Sequence, residues 1–210
     1  MDRWILHRLQ EVVRRVRDAY EQYQFHVVYY TLYNFCTVDL SALYLDVLKD
    51  RLYTSKADSL PRRSAQTAML TLLETMVRLL APILTFTAEE VWLALPGWPD
   101  KAASVHLTRF PEVNDSWLDP KLADTWKTLV GVKSEVAKAI ETARQGKIVG
   151  HSLDAAVTIG AAGDLRALLE THREDLRSLL IVSAVDIVDA VDIGEAFRSR
   201  AVALGPSTSG

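Results

Sequence analysis

Apolar residues recur at intervals of three and four along most of this chain, the spacing of helices that each bury one face. Over residues 2–22 the repeat is Ile5, Leu9, Val12, Val16 and Tyr20, with Asp2 near the start. Arg8, Arg14, Arg15 and Arg17 fall on the opposite side, where a solvated face accounts for them. Residues 25–49 carry the pattern through Phe25, Val28, Tyr29, Leu32, Cys36, Leu40, Leu43, Tyr44 and Val47, with no Gly or Pro, which predicts one long helix. Periodicity lapses from about Tyr53 to Leu60. It returns from Pro61 to Leu80 with Ala65, Ala68, Met69, Leu72, Leu73, Met76 and Leu80 as the buried stripe. Asp58 or Ser59 is placed to cap that helix, Pro61 suits its first turn, and Pro82 ends or kinks it.

The segment TFTAEEVWLAL predicts a restart, with Thr87 and Glu90 spaced as a capping box and Val91, Trp92 and Leu95 as its apolar side. PGWPDK then breaks it, and residues 100–118 read as an irregular surface loop. From Pro120 to about Gln145 helical spacing resumes in Leu122, Trp126, Leu129, Val132, Val136 and Ile140, closed by Gly146. Beyond Gly150 the pattern changes: AAVTIGA is short and β-prone, DLRALLETHREDLRSLL is helical, and IVSAVDIVDA is again rich in Val and Ile. The expected fold is mainly α. A helical bundle spans residues 1–150, a small α/β subdomain residues 151–193, and a flexible tail residues 194–210, ending in LGPSTSG.

Composition narrows the picture. The 210 residues are 49% hydrophobic, enough for one sizeable core and a small second one. No window reaches the uninterrupted apolar length of a membrane helix, and the opening MDRWILHRLQ interleaves charge where a signal peptide needs an apolar stretch, so a cytoplasmic location is expected. The single cysteine, Cys36, cannot form an internal disulfide or a cysteine-rich zinc site and reads as a small core residue. Net charge is −3, which argues against a uniformly basic nucleic-acid binder, yet the charge is segregated. Residues 47–67 hold five Lys/Arg against Asp50 and Asp58, while residues 163–210 hold five Arg against eight acids.

Candidate catalytic chemistry is sparse. Gly146 and Gly150 lack the spacing of a phosphate loop, and no histidine pair stands at i, i+4. His151, Ser152 and Asp154 are adjacent in sequence, which is not triad geometry, and a loop role is expected for them. Glu89 and Glu90 point in different directions on a helix, against paired acid–base work. Trp4, Trp92, Trp117 and Trp126 read as core or loop anchors, and Trp98, between Gly97 and Pro99, as the most exposed tryptophan.

The run NFCTVDLSALYLDVLKDRLYTSKADSLPRRSAQTAMLTLLETMVRLLAPILTFTAEEVW (34–92) resembles the anticodon-binding helical domain of bacterial isoleucyl-tRNA synthetases. The opening DRWIL and the segment RQGKIVGHSLDAAVTI (144–159) are similar to that family in the same order, so the likeness reaches to about residue 190. LAPILTFTAEEVW is shared with the valyl and leucyl enzymes, whereas YLDVLKDRLYTSKADS favours isoleucine. The resemblance implies a piece of a larger ligase. The family's His-Ile-Gly-His and Lys-Met-Ser-Lys-Ser signatures do not occur, nor does the cysteine-ligated zinc module of many members. The chain is therefore expected neither to activate isoleucine nor to charge tRNA alone. ATP and magnesium would serve the full enzyme, and no cofactor is implied for these residues.

The same resemblance places the basic connection between two helices against the anticodon stem-loop of an isoleucine tRNA. Unpaired bases are read by stacking and edge hydrogen bonds while phosphate contacts set the register. Lys49, Arg51, Lys56, Arg62 and Arg63 are thus the expected phosphate or base contacts, and Tyr53 a candidate stacking ring. Lys49 and Arg51 lie near a helix C-terminus, where the helix dipole favours cations in any case. Arg62 and Arg63 lie in the first turn of a helix, where the dipole disfavours cations, so an external anion is the better explanation for them. The chain is expected to be a monomer whose other partners are the catalytic and editing domains of the same polypeptide. The alternatives are the corresponding domain of a valyl or leucyl enzyme, and a helical protein-interaction scaffold whose basic loop is only solvated.

Overall fold

In the computed structural model, which describes residues 1–190, α1 (Asp2–Glu21) carries Ile5, Leu9, Val12, Val13 and Val16 fully buried along one side. It packs against α2 (Phe25–Asn34) and α4 (Leu60–Leu80), the geometry that antiparallel helices with short links produce. The link from α1 to α2 is tight because Tyr23 adopts φ 56°, and Gln24 N–H donates to the Ala19 carbonyl at 2.8 Å.

The predicted single helix after residue 25 is continuous but not uniform. Between α2 and α3 (Leu45–Thr54) the backbone runs as a π-helix over Phe35–Tyr44. Wider turns shift the phase of the apolar stripe, so the buried positions are Val28, Leu32 and Phe35, then Leu43, Tyr44, Val47 and Leu48. Phe25 and Tyr29, expected in the core from a strict 3.6 repeat, are 51% and 56% exposed, and Leu73 on α4 is exposed as well. Cys36 is half-buried, and burial pushes its thiol up, away from a reactive thiolate.

Helix α4 stops at Leu80, before Pro82, and α5 (Thr85–Ala94) starts two residues ahead of Thr87. The expected capping box therefore does not form: Leu84 holds the cap position, and Thr87 lies inside the first turn. Val77, Ala81, Ala88, Trp92, Leu95 and Val105 make a second apolar cluster. Trp98, expected to be the exposed tryptophan, packs edge-on against Trp92 with centroids 5.5 Å apart. Lys101 covers both rings and donates to the Leu95 carbonyl at 2.7 Å.

The loop of residues 100–118 is irregular apart from 3₁₀ turns at Val105–Leu107 and Asp115–Trp117. Side chains of the helices grip it through its backbone. Glu89 accepts from Val105 N–H and the Ser104 hydroxyl, both at 2.9 Å. The buried Gln10 accepts from Asn114 N–H at 2.7 Å, and the buried His7 accepts through Nδ1 from Asp119 N–H at 2.9 Å. Gln10 and His7 thereby each gain a partner for a buried polar atom.

The chain divides into two compact units, Met1–Pro120 and Lys121 onward, whereas the sequence reading divides it at Gly150. The long α6 (Pro120–Gln145) thus belongs almost wholly with the α/β elements that follow it. Those are β1 (Ala156–Ala161), α7 (Gly163–Thr171), α8 (Arg173–Leu180) and β2 (Ala184–Asp189). The strands pair in parallel from Ala156↔Ala184 to Ala161↔Asp189, with the two helices as the crossover. Leu169, Leu176, Leu179, Leu180 and Ile187 form the core beneath them, and Lys133 of α6 donates to the Leu179 carbonyl at 2.8 Å. Gly146 does not supply the left-handed residue that closes α6; Lys147 does, at φ 57°. Lys147 N–H donates to the Arg144 carbonyl and Ile148 N–H to the Ala143 carbonyl, the paired bonds of a Schellman motif. The mainly α architecture with a small α/β part follows the sequence expectation; the expected tail beyond residue 193 lies outside the described residues.

Candidate nucleic-acid interface

The basic connection runs from the last turns of α3 to the first turn of α4, and its charges are used unequally. Lys49 is exposed and pairs with Asp46 at 2.8 Å; this hydrogen bond raises its pKa. Arg51 turns inward. Its Nη1 donates to both oxygens of Asp2 at 3.0 Å, and Asp2 also accepts from the Tyr44 hydroxyl at 3.1 Å and from the Ser64 hydroxyl. Asp2 is only 13% exposed, and three side chains, from the π-helix, α3 and α4, meet at this α1 carboxylate. Burial, with Asp2 beside it, pushes the Tyr44 phenol far above its ordinary value.

At the start of α4, Ser59 has the extended backbone of an N-cap, but its hydroxyl donates back to the Lys56 carbonyl at 2.8 Å instead of capping. Arg62 is half-buried and donates through Nη1 to the Ser55 carbonyl at 3.1 Å, closing the turn, while its Nε–H is buried without a protein acceptor. Arg63 and Lys56 are exposed and form no ion pair among the described residues, and Tyr53 is 83% exposed. Of the expected contacts, Tyr53, Lys56 and Arg63 face solvent, Lys49 is tied at the surface, and Arg51 and Arg62 hold the fold.

The arginines of α1 divide in the same way. Arg8 bonds Asp39 at 3.1 Å and also Glu11, and Arg17 donates to the Pro111 carbonyl at 2.9 Å. Arg14 and Arg15 are exposed. The segment around His151 makes a 3₁₀ turn in which Asp154 accepts from His151 N–H at 3.1 Å and His151 Nδ1 accepts from Leu153 N–H, so these groups cap a turn.

A feature that helical periodicity misassigned lies on α2. Tyr29, Tyr30 and Tyr33 are each more than half exposed, and their rings contact one another, Tyr29 to Tyr33 stacked at 5.7 Å and Tyr29 to Tyr30 edge-on at 5.2 Å. The signal was present as the tyrosine-dense YYTLY, since only one of these tyrosines fits the apolar stripe.

Among described residues, no helix is long and apolar enough to cross a membrane. The chain resembles the isoleucine–tRNA ligase of Syntrophotalea carbinolica at 50% identity over 190 residues, covering 90% of this chain and 20% of that protein. The isoleucine–tRNA ligases of Moorella thermoacetica and Geobacter sulfurreducens match at 48% over 187 residues and 46% over 189 residues, covering 89% and 90% of this chain. The chain spans 20% of the length of each of these relatives. The family model described as the anticodon-binding domain of tRNA ligase matches residues 2–159, which takes in every helix from α1 to α6 and the exposed basic connection. By that match, the chain belongs to the anticodon-binding domain family of tRNA ligases.

Proposed function

We propose that the chain recognises and positions the anticodon stem-loop of an isoleucine tRNA, as the anticodon-binding part of an isoleucine–tRNA ligase. The observation that carries this reading is the family match over residues 2–159, and the isoleucine–tRNA ligases aligned along 89–90% of the chain favour isoleucine over valine or leucine. Arg63 and Lys56, exposed and without an ion pair among the described residues, supply the phosphate contacts, with Tyr53 as an adjacent stacking ring. Lys49 joins them by exchanging Asp46 for a phosphate. Arg51 and Arg62 act through the fold, fixing the ends of the connection on which those side chains sit.

The chain works as a cytoplasmic monomer domain and performs no catalysis. Amino-acid activation, with its ATP and magnesium, belongs to the catalytic part of the ligase. The chain alone is expected to give no isoleucine-dependent pyrophosphate exchange.

Fluorescence anisotropy with an isoleucine-tRNA anticodon stem-loop across a salt series tests the reading. Wild type is expected to weaken with salt by about 0.7 log units per decade for each phosphate contacted. Lys56→Ala/Arg63→Ala should lose about one to two such contacts from the slope. An unchanged slope moves the RNA away from this connection, and salt-indifferent binding favours a protein-interaction scaffold.

A further inference from the structure

Between α1 and the α2/π-helix run lies an open cleft of about 380 Å³, within the size range of small-ligand sites. We propose that this cleft takes a single unpaired nucleobase, and that the tyrosines beside it carry the neighbouring bases. The inference rests on the RNA-binding reading above and concerns a surface distinct from the basic connection.

The charge inside the cleft selects for a base over a phosphate. Arg8 is bonded to both Asp39 and Glu11, so the wall of the cleft is close to neutral but dense in hydrogen-bonding groups. A phosphate would meet two carboxylates whose balancing guanidinium is already engaged. A neutral planar ring with amino and imino hydrogens on its edge meets acceptors on Asp39 and Glu11 and the side-chain amide of Asn34. Arg15, which forms no ion pair among the described residues, also lines the cleft and is exposed, where a nucleotide's phosphate would remain in water.

One residue of the lining also carries an unsatisfied polar atom. Thr37, Thr54, Thr71, Thr142 and Thr171 each return their hydroxyl hydrogen to the carbonyl four residues earlier, as helical threonines commonly do. Thr31 does not. Its hydroxyl is buried without a hydrogen-bond partner among the described residues, and other atoms of Thr31 line the cleft.

The aromatic surface supplies the remaining requirement. Tyr30 forms part of the cleft wall, is 60% exposed, and contacts Tyr29, which stacks on Tyr33. Rings held against one another lose little freedom when a base lands on them, and every base offers a π-face. The cleft lies where the backbone widens into the π-helix, which contributes Phe35 and Asp39 to its floor and wall.

The test compares a fluorescein-labelled anticodon stem-loop with a blunt duplex of the same stem, bound to the full chain and followed by anisotropy. Tyr30→Ala should weaken the stem-loop by about tenfold or more, the usual effect of losing one base stack. Tyr30→Phe should retain affinity, and neither variant should alter duplex binding. Circular dichroism checks that each variant is folded. Unchanged stem-loop affinity in Tyr30→Ala, alongside a loss in Lys56→Ala/Arg63→Ala, overturns the cleft while leaving the anticodon reading intact. Absence of stem-loop binding by folded wild type overturns both.

Discussion

Asp2 shows how one residue near the start of the chain can decide what a basic segment some fifty positions later is free to do. Its carboxylate holds Arg51, Tyr44 and Ser64 at once. Asp2→Ala strips the acceptor from a half-buried guanidinium, and is expected to lower the free energy of unfolding by about 2–3 kcal/mol in urea denaturation. Lys147 presents the opposite case, a side chain in a left-handed conformation that suits glycine. Lys147→Gly should stabilise the chain by about 1 kcal/mol, read as a higher urea midpoint at unchanged m-value. Tyr20 sets an alkaline limit. Burial pushes its phenol from 10.0 up to about 12, and its hydroxyl donates to the Leu79 carbonyl. A folded-state value above the unfolded one contributes stability that is complete below pH 10 and is lost as pH rises towards 12. Tyr20→Phe should therefore flatten the fall in stability over that window, measured as melting temperature against pH.

At the scale of elements, α1, α4 and α6 were legible because each keeps one helical period from end to end. The run from Phe25 to Thr54 was legible as helix but not in its burial. A fixed 3.6 repeat has no means of anticipating ten residues of π-helix, and the error appears at Phe25 and Tyr29, assigned to the core and found exposed. Capping was read correctly in position at Ser59 and wrongly in chemistry, since a hydroxyl can also bond a carbonyl in its own turn. The candidate site was legible as a charge cluster. Sequence could not separate Arg51 and Arg62 from Arg63, because the acceptors that claim the first two, Asp2 and the Ser55 carbonyl, are chosen by tertiary geometry. The cleft beside Tyr30 was not legible at all, because it depends on where α1 meets the π-helix.

Across the whole molecule, a net charge of −3 conceals regions of opposite sign, and on the proposed reading the basic connection of an otherwise acidic chain would orient an approaching polyanion as well as bind it. Association with the stem-loop is expected to be faster at low ionic strength, and stopped-flow rates for Lys56→Ala/Arg63→Ala should show a smaller salt effect than wild type. The long loop before α6 has a different kind of robustness. Glu89, Gln10 and His7 hold it by peptide N–H groups at Val105, Asn114 and Asp119. Every amino acid except proline offers that donor, so the loop can accumulate substitutions over evolutionary time while its path across the helices stays the same. Mutational drift there would change the texture of the surface without moving the scaffold, leaving this face free to adapt to whatever neighbour a given organism sets against it.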